Sequence, residues 1–150
     1  ILPEDDILSL TFKISEVAPK MLVKTINDIG FGNIVRISQD ESQATYYPPR
    51  KPSDGLIDWS MKDNEIQNLV RAVTRPYPGA YTIILGYKLM VWRSRIVSVV
   101  NTICEPGQII EQSSNGILVG TGSKPILLTD FSWDGGELPD NLIGETVGSE

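Results

Sequence analysis

The chain has 150 residues, 41% of them hydrophobic and 21% charged, which suits one globular domain or a small domain with part of another. It carries a net charge of −6, one cysteine and no histidine. These counts exclude an internal disulfide, the usual zinc and non-haem iron ligand sets, and Ser-His-Asp or Cys-His nucleophile systems.

Any general acid or base must therefore be a carboxylate, lysine or tyrosine. A sequence pI of about 4.7 argues against a phosphate backbone as partner, because the overall field repels it. No apolar run reaches the roughly 18 residues of a membrane helix, and no secretory signal is visible. The lone Cys104 suits a reducing cytoplasm. A first residue of Ile1 rather than Met is expected of a fragment.

Apolar residues at Ile7, Leu10, Ile14, Val17, Met21, Ile26 and Ile29 predict a helix over 6–29 with one buried stripe. Asp5 or Asp6 is placed to cap its start, Gly30 to stop it, and Pro19 to kink or split it. A turn over 30–33, a short strand over Ile34–Ile37 and a polar loop over 39–43 are expected next. Pro48, Pro49 and Pro52 predict extended backbone over 44–52. Ser53, Asp54 and Gly55 read as a turn, and Leu56–Trp59 as a short strand.

Ser60 and Asp63 fit a capping box, and Ile66, Leu69, Val70 and Val73 define the buried face of a helix that ends before Pro76. Two prolines and a glycine then make Arg75–Ala80 a rigid turn. Five β-rich runs follow, over 82–86, 88–100, 107–112, 116–122 and 125–133, and predict a small, open, mostly antiparallel barrel of OB-like type. Residues 135–150 lack periodicity and are expected to form a loose tail. The fold class is α+β, divided into a helical part (1–45), an extended linker with a bridging helix (46–80), and the barrel with its tail (81–150).

The run QATYYPPRKPSDGLIDW, then NLVRAVTRPYPGAY, then KLMVWRSRIV, PGQII, GILVGTG and PILLTDF resembles the junction and carboxyl-terminal barrel of the folate-dependent formyltransferases. The resemblance extends over most of the chain, and PYPGA after a helix is its most specific motif. The Arg50-Lys51-Pro52-Ser53-Asp54 run is more similar to the branch that N-formylates nucleotide-linked amino sugars than to methionyl-tRNA formyltransferase. It implies that 1–45 ends a Rossmann-like catalytic domain whose Asn-His-Asp group lies upstream. It further implies 10-formyltetrahydrofolate as formyl donor in the complete enzyme and a nucleotide-linked amino sugar as acceptor. The expected protein is cytoplasmic, binds neither nucleic acid nor membrane, and is inactive as this chain alone. A homodimer is left open. The alternatives are the carboxyl-terminal part of methionyl-tRNA formyltransferase, or a binding or dimerisation module that never catalysed anything.

The same resemblance places Arg50 and Lys51 beside the substrate, where a guanidinium can grip a diphosphate bidentately and an ammonium acts as a point charge. Otherwise they are a solvated pair, or Arg50 and Lys51 face Asp54 in a salt bridge. Tyr46 and Tyr47 offer faces for a base, or pack in a domain seam. Trp59 is expected to anchor the bridging helix against the catalytic domain, and Arg71 to pair with a carboxylate of that domain or to stay exposed. Pro76, Pro78 and Gly79 are structural and aim the barrel. Asp58 is solvated or capping. Asp5 and Asp6 match helix-cap positions, and no catalytic residue or metal ligand is assigned. Gly120 and Gly122 lack the ending of a phosphate loop.

Overall fold

The computed structural model describes residues 1–97 and 104–148. Helix α1 (Ile7–Gly30) projects from a body made of helix α2 (Asp63–Val73) and five strands. The strands are β1 (Ala80–Ile84), β2 (Tyr87–Ile96), β3 (Ile109–Ser113), β4 (Gly116–Val119) and β5 (Ile126–Trp133). They pair antiparallel in the order β1-β2-β5-β4-β3, so the fold is α+β with an open five-stranded sheet. Residues 98–100 of the second expected strand lie outside the described residues.

Alternation builds the sheet's inner face. Ala80, Thr82 and Ile84 of β1 are buried, as are Leu89 and Val91 of β2, while their neighbours point outward. From α2, Ile66, Val70 and Val73 close the core against Ile109, Ile117, Val119, Ile126 and Leu128. Trp59 is 4% exposed within this cluster and donates its indole N–H to Thr82 Oγ1 at 3.0 Å. It therefore ties the linker to β1.

Over residues 135–148 the final segment is tied to the sheet rather than loose. Leu142 is fully buried and Val147 is 4% exposed. Edge strand β3 exchanges hydrogen bonds with this segment: Ile109 N–H donates to the Glu145 carbonyl and Gly144 N–H to the Ile109 carbonyl, both at 2.9 Å. On the far side, Gly148 N–H donates to the Ile83 carbonyl of β1 at 2.8 Å. The segment thus spans the gap between the two sheet edges. Its apolar residues are too sparse to show a period, and burial of two of them suffices to hold it.

Several local expectations are corrected. Pro19 lies inside one continuous α1 and does not split it. The α1 stripe is uncovered: no residue of the helix is buried, and Phe12, Ile14, Val17, Met21 and Ile26 are each more than half exposed. Ile34–Ile37 forms no strand, because no edge lies beside it to pair with. Leu56–Trp59 contributes only a single bridge, Leu56 to Tyr81. Helix α2 starts at Asp63 and is capped by Glu65, which accepts from Lys62 N–H at 2.9 Å, and by Ser123, which accepts from Asp63 N–H at 2.9 Å. Ser60 instead donates to Asp58 and so has no capping role.

Candidate functional site

Where the linker meets the Arg75–Ala80 turn, the chain forms a cleft of about 350 Å³ lined by Arg50, Lys51, Pro52, Tyr77 and Pro78, with Ile7 and Val73 behind them. Two glycines bring the walls together. A Cβ on Gly55 would collide with the Gly79 carbonyl, and Gly79 itself adopts φ 88 with a would-be Cβ 2.6 Å from the Trp92 ring. The prolines on either side fix φ, so the cleft is ordered before any ligand arrives.

Arg50 and Lys51 form no ion pair among the described residues. The Asp54 carboxylate is engaged instead by the Lys51 backbone N–H at 2.7 Å, which closes a short turn over Pro52–Gly55. Neither basic residue is thus neutralised by the expected salt bridge. Tyr46 and Tyr47 do not join them: they are 85% and 87% exposed and line no part of the cleft. The aromatic ring in the cleft belongs to Tyr77, to which the sequence analysis assigned no role of its own. Its position between two prolines, aimed by a glycine, was the available signal.

Among the described residues Arg71 pairs with no carboxylate and is instead held by backbone carbonyls near the chain's start. Its guanidinium donates to the carbonyls of Leu2, Pro3 and Asp5 at 3.0–3.2 Å and to Asn68 Oδ1 at 3.0 Å. The same turn buries the Asp5 carboxylate, which accepts from Leu2 N–H at 2.7 Å, from Lys13 Nζ at 2.7 Å and from Ser9 Oγ at 2.9 Å. These donors, the Leu2 N–H foremost, hold the Asp5 carboxyl well below the usual carboxylate range. Asp6 caps α1 by accepting from Ser9 N–H. Asp58 is held below the ordinary range by the Ser60 hydroxyl and N–H, a turn contact rather than a base poised for proton transfer.

A second cleft of about 460 Å³ lies between α2 and β2 and is lined by Gln67, Arg71, Trp92, Arg93, Arg95 and Glu4, among others. Beside it Arg75 stacks on the Trp92 ring at 4.3 Å and pairs with Asp130 at 3.2 Å. Arg93 and Arg95 were missed by sequence reading. Their alternation along a strand was legible, but the β-bulge between Val91 and Ser94 that turns them outward was not.

Comparison with known proteins agrees with this architecture. The family described as "Formyl transferase, C-terminal domain" matches residues 50–139. Methionyl-tRNA formyltransferase of Geobacter sulfurreducens is 37% identical over 133 residues, covering 89% of this chain and 41% of the relative. The Geobacter metallireducens enzyme of the same name is 35% identical over 133 residues, covering 89% and 42%. The chain thus spans about two fifths of the length of the curated relatives it matches. Among solved structures, HypX from Aquifex aeolicus in complex with tetrahydrofolic acid has a TM-score of 0.55 at 16% identity, covering 79% of this chain and 20% of that one. A doubly substituted HypX gives 0.56 at 16%, with the same coverage. These structural likenesses show the fold alone. On the extent of its sequence match, the chain belongs to the formyl transferase C-terminal domain family.

Proposed function

We propose that this chain is the acceptor-side part of an enzyme that moves a formyl group from 10-formyltetrahydrofolate to an amine, and that the amine is that of methionyl-tRNA. The carrying observation is the 37% identity with a methionyl-tRNA formyltransferase over 133 residues. The chain contains no histidine, so the proton-moving His of the family, with its Asp and Asn, is assigned to chain outside these residues. No step of the reaction is routed through the side chains described above. Their role is to present the acceptor.

The net charge of −6 opposed this acceptor in the sequence reading. A global charge does not decide a local contact. Arg93 and Arg95 stand exposed on β2 beside Arg71, and phosphates respond to the field within about a Debye length, roughly 8 Å at physiological salt. A nucleotide-linked amino sugar remains the second reading, favoured by the free Arg50 and Lys51 in the cleft at the turn. Residues 1–45 are proposed to be the end of the catalytic domain, consistent with an α1 that buries none of its residues.

The deciding experiment assays the full-length protein that contains this chain, with 10-formyltetrahydrofolate as donor and the two amines as competing acceptors. Formyl-methionyl-tRNA as the faster product supports the reading. Preferential formylation of the sugar nucleotide transfers it to the second reading, and no transfer to either removes the enzyme and leaves a binding module.

A further inference from the structure

Helix α1 buries none of its residues, and Ile7 and Leu10 near its start are only half-buried. A shared core therefore does not set its direction, yet its start meets α2 at a built polar junction. The chain folds back over Leu2–Asp5. There the Asp5 N–H donates to the Leu2 carbonyl at 3.1 Å, and the Leu2 N–H donates to the Asp5 carboxylate at 2.7 Å. That carboxylate also accepts from Ser9 and Lys13, four and eight residues further along one face of α1. The turn and the start of the helix are thus one piece.

The fold-back gathers the carbonyls of Leu2, Pro3 and Asp5 around Arg71 Nη1, at 3.0–3.2 Å. Arg71 Nε donates to Asn68 Oδ1 at 3.0 Å, which holds the guanidinium against its own helix. That helix is seated in the core by Ile66, Val70 and Val73. Converging carbonyls suit a cation, and a planar fork reaches them with one nitrogen while another stays on Asn68. An ammonium has no second nitrogen to do this. The held segment also borders both clefts: Pro3, Glu4 and Asp6 line the one between α2 and β2, and Ile7 lines the one at the linker.

We propose that Arg71 is a positioning residue: by gripping the Leu2–Asp5 turn it fixes α1 on the body of α2 and sheet. With α1 it fixes the direction from which the catalytic part meets the acceptor. The inference rests on the formyl-transfer reading for what α1 carries, whereas the grip itself is independent of that reading.

The test uses the full-length protein that contains this chain, as parent, Arg71→Ala and Arg71→Lys. Hydrogen exchange is read first, without substrates. Amides over Leu2–Lys13 are expected to exchange about tenfold faster in both variants. Those of β2, β4 and β5 should keep the parent's rates and so report an intact fold. Lysine keeps the charge and loses the fork, so loosening in both variants identifies the geometry of the grip. Steady-state formyl transfer is read second. A fall in kcat on the order of ten- to a hundredfold is expected in both variants, with KM for donor and acceptor within about twofold of the parent. Free guanidinium should restore part of the kcat of Arg71→Ala and none of that of Arg71→Lys, whose side chain fills the place.

Unchanged exchange over Leu2–Lys13 in Arg71→Ala overturns the inference. So does a rise in acceptor KM at constant kcat, which would make Arg71 a binding group for the acceptor. Faster exchange with unaltered kinetics reduces Arg71 to a structural contact and equally overturns its positioning role. Should the parent transfer formyl to no amine, the functional reading fails and positioning falls with it, while faster exchange in the variants would still establish the grip on the turn.

Discussion

Leu85 occupies the first central position of the two-residue turn that joins β1 to β2, with φ 51, followed by Gly86 at φ 80. Two positive φ values in succession are the geometry of the turn that best fits strand twist, and asparagine fits the first position far better than leucine. Leu85 is 53% exposed and is not part of the buried core cluster. Leu85→Asn is therefore expected to stabilise the chain by about 0.5–1 kcal/mol, a rise of roughly 1–4 °C in melting temperature. An unchanged or lower melting point would refute the strain argument. Asp5 yields a second prediction. Its folded pKa is depressed, so its contribution is fully present above the ordinary carboxylate value of about 4 and is lost as pH falls below it. Amide exchange over Ser9–Lys13 should be slower in the parent than in Asp5→Asn at neutral pH, and the two should converge on acidification. A gap constant with pH would exclude the carboxylate. Neither feature stands out in sequence. Leu85 lies in an unremarkable TIILG run, and Asp5 is one of three consecutive acids whose burial depends on Lys13 eight residues on. Trp59 was legible as an anchor, but its partner Thr82 lies 23 residues away and no local spacing announces it.

Among the elements, the five strands were readable because each is a short apolar run fenced by Gly, Pro, Asn or Ser, and α2 because its apolar residues recur every three or four. The tetrapeptide Ile34–Ile37 shows the limit of that logic: β-propensity reports fitness for a pleated surface, and without a neighbouring edge there is no strand. Helix α1 shows another limit. Periodicity established its form and not what covers it. Its exposed apolar residues, among them Phe12, Val17, Met21, Ile26 and Ile29, predict that the isolated chain binds a hydrophobic dye or self-associates. Val17→Glu with Met21→Lys places a favourable pair four residues apart on that helix. It should reduce the dye signal severalfold while leaving β-sheet melting unchanged. A dye signal insensitive to both changes would place the sticky surface elsewhere.

For the molecule as a whole, composition narrowed the chemistry available to these residues, yet its net charge pointed away from the acceptor in the relatives' name. Charge counts average over a surface on which Arg71, Arg93 and Arg95 are gathered at one cleft. The segment that bridges the open sheet's two edges was equally invisible, since it is held by Leu142 and Val147, single apolar residues in a polar stretch. That bridging has a temporal side. The bond from Gly148 to Ile83 joins residues 148 − 83 = 65 positions apart. At roughly 5–20 residues per second of synthesis, the Ile83 end of the β1 edge therefore waits roughly 3–13 seconds for the segment that seals it. During that interval Trp59 lacks the Gly148 backbone beside its ring, and the Ile83 carbonyl is an unpaired acceptor on an edge otherwise covered by the linker at Tyr81. Binding factors that shield exposed strands should therefore matter to this protein chiefly while it is being made, and far less once it has folded.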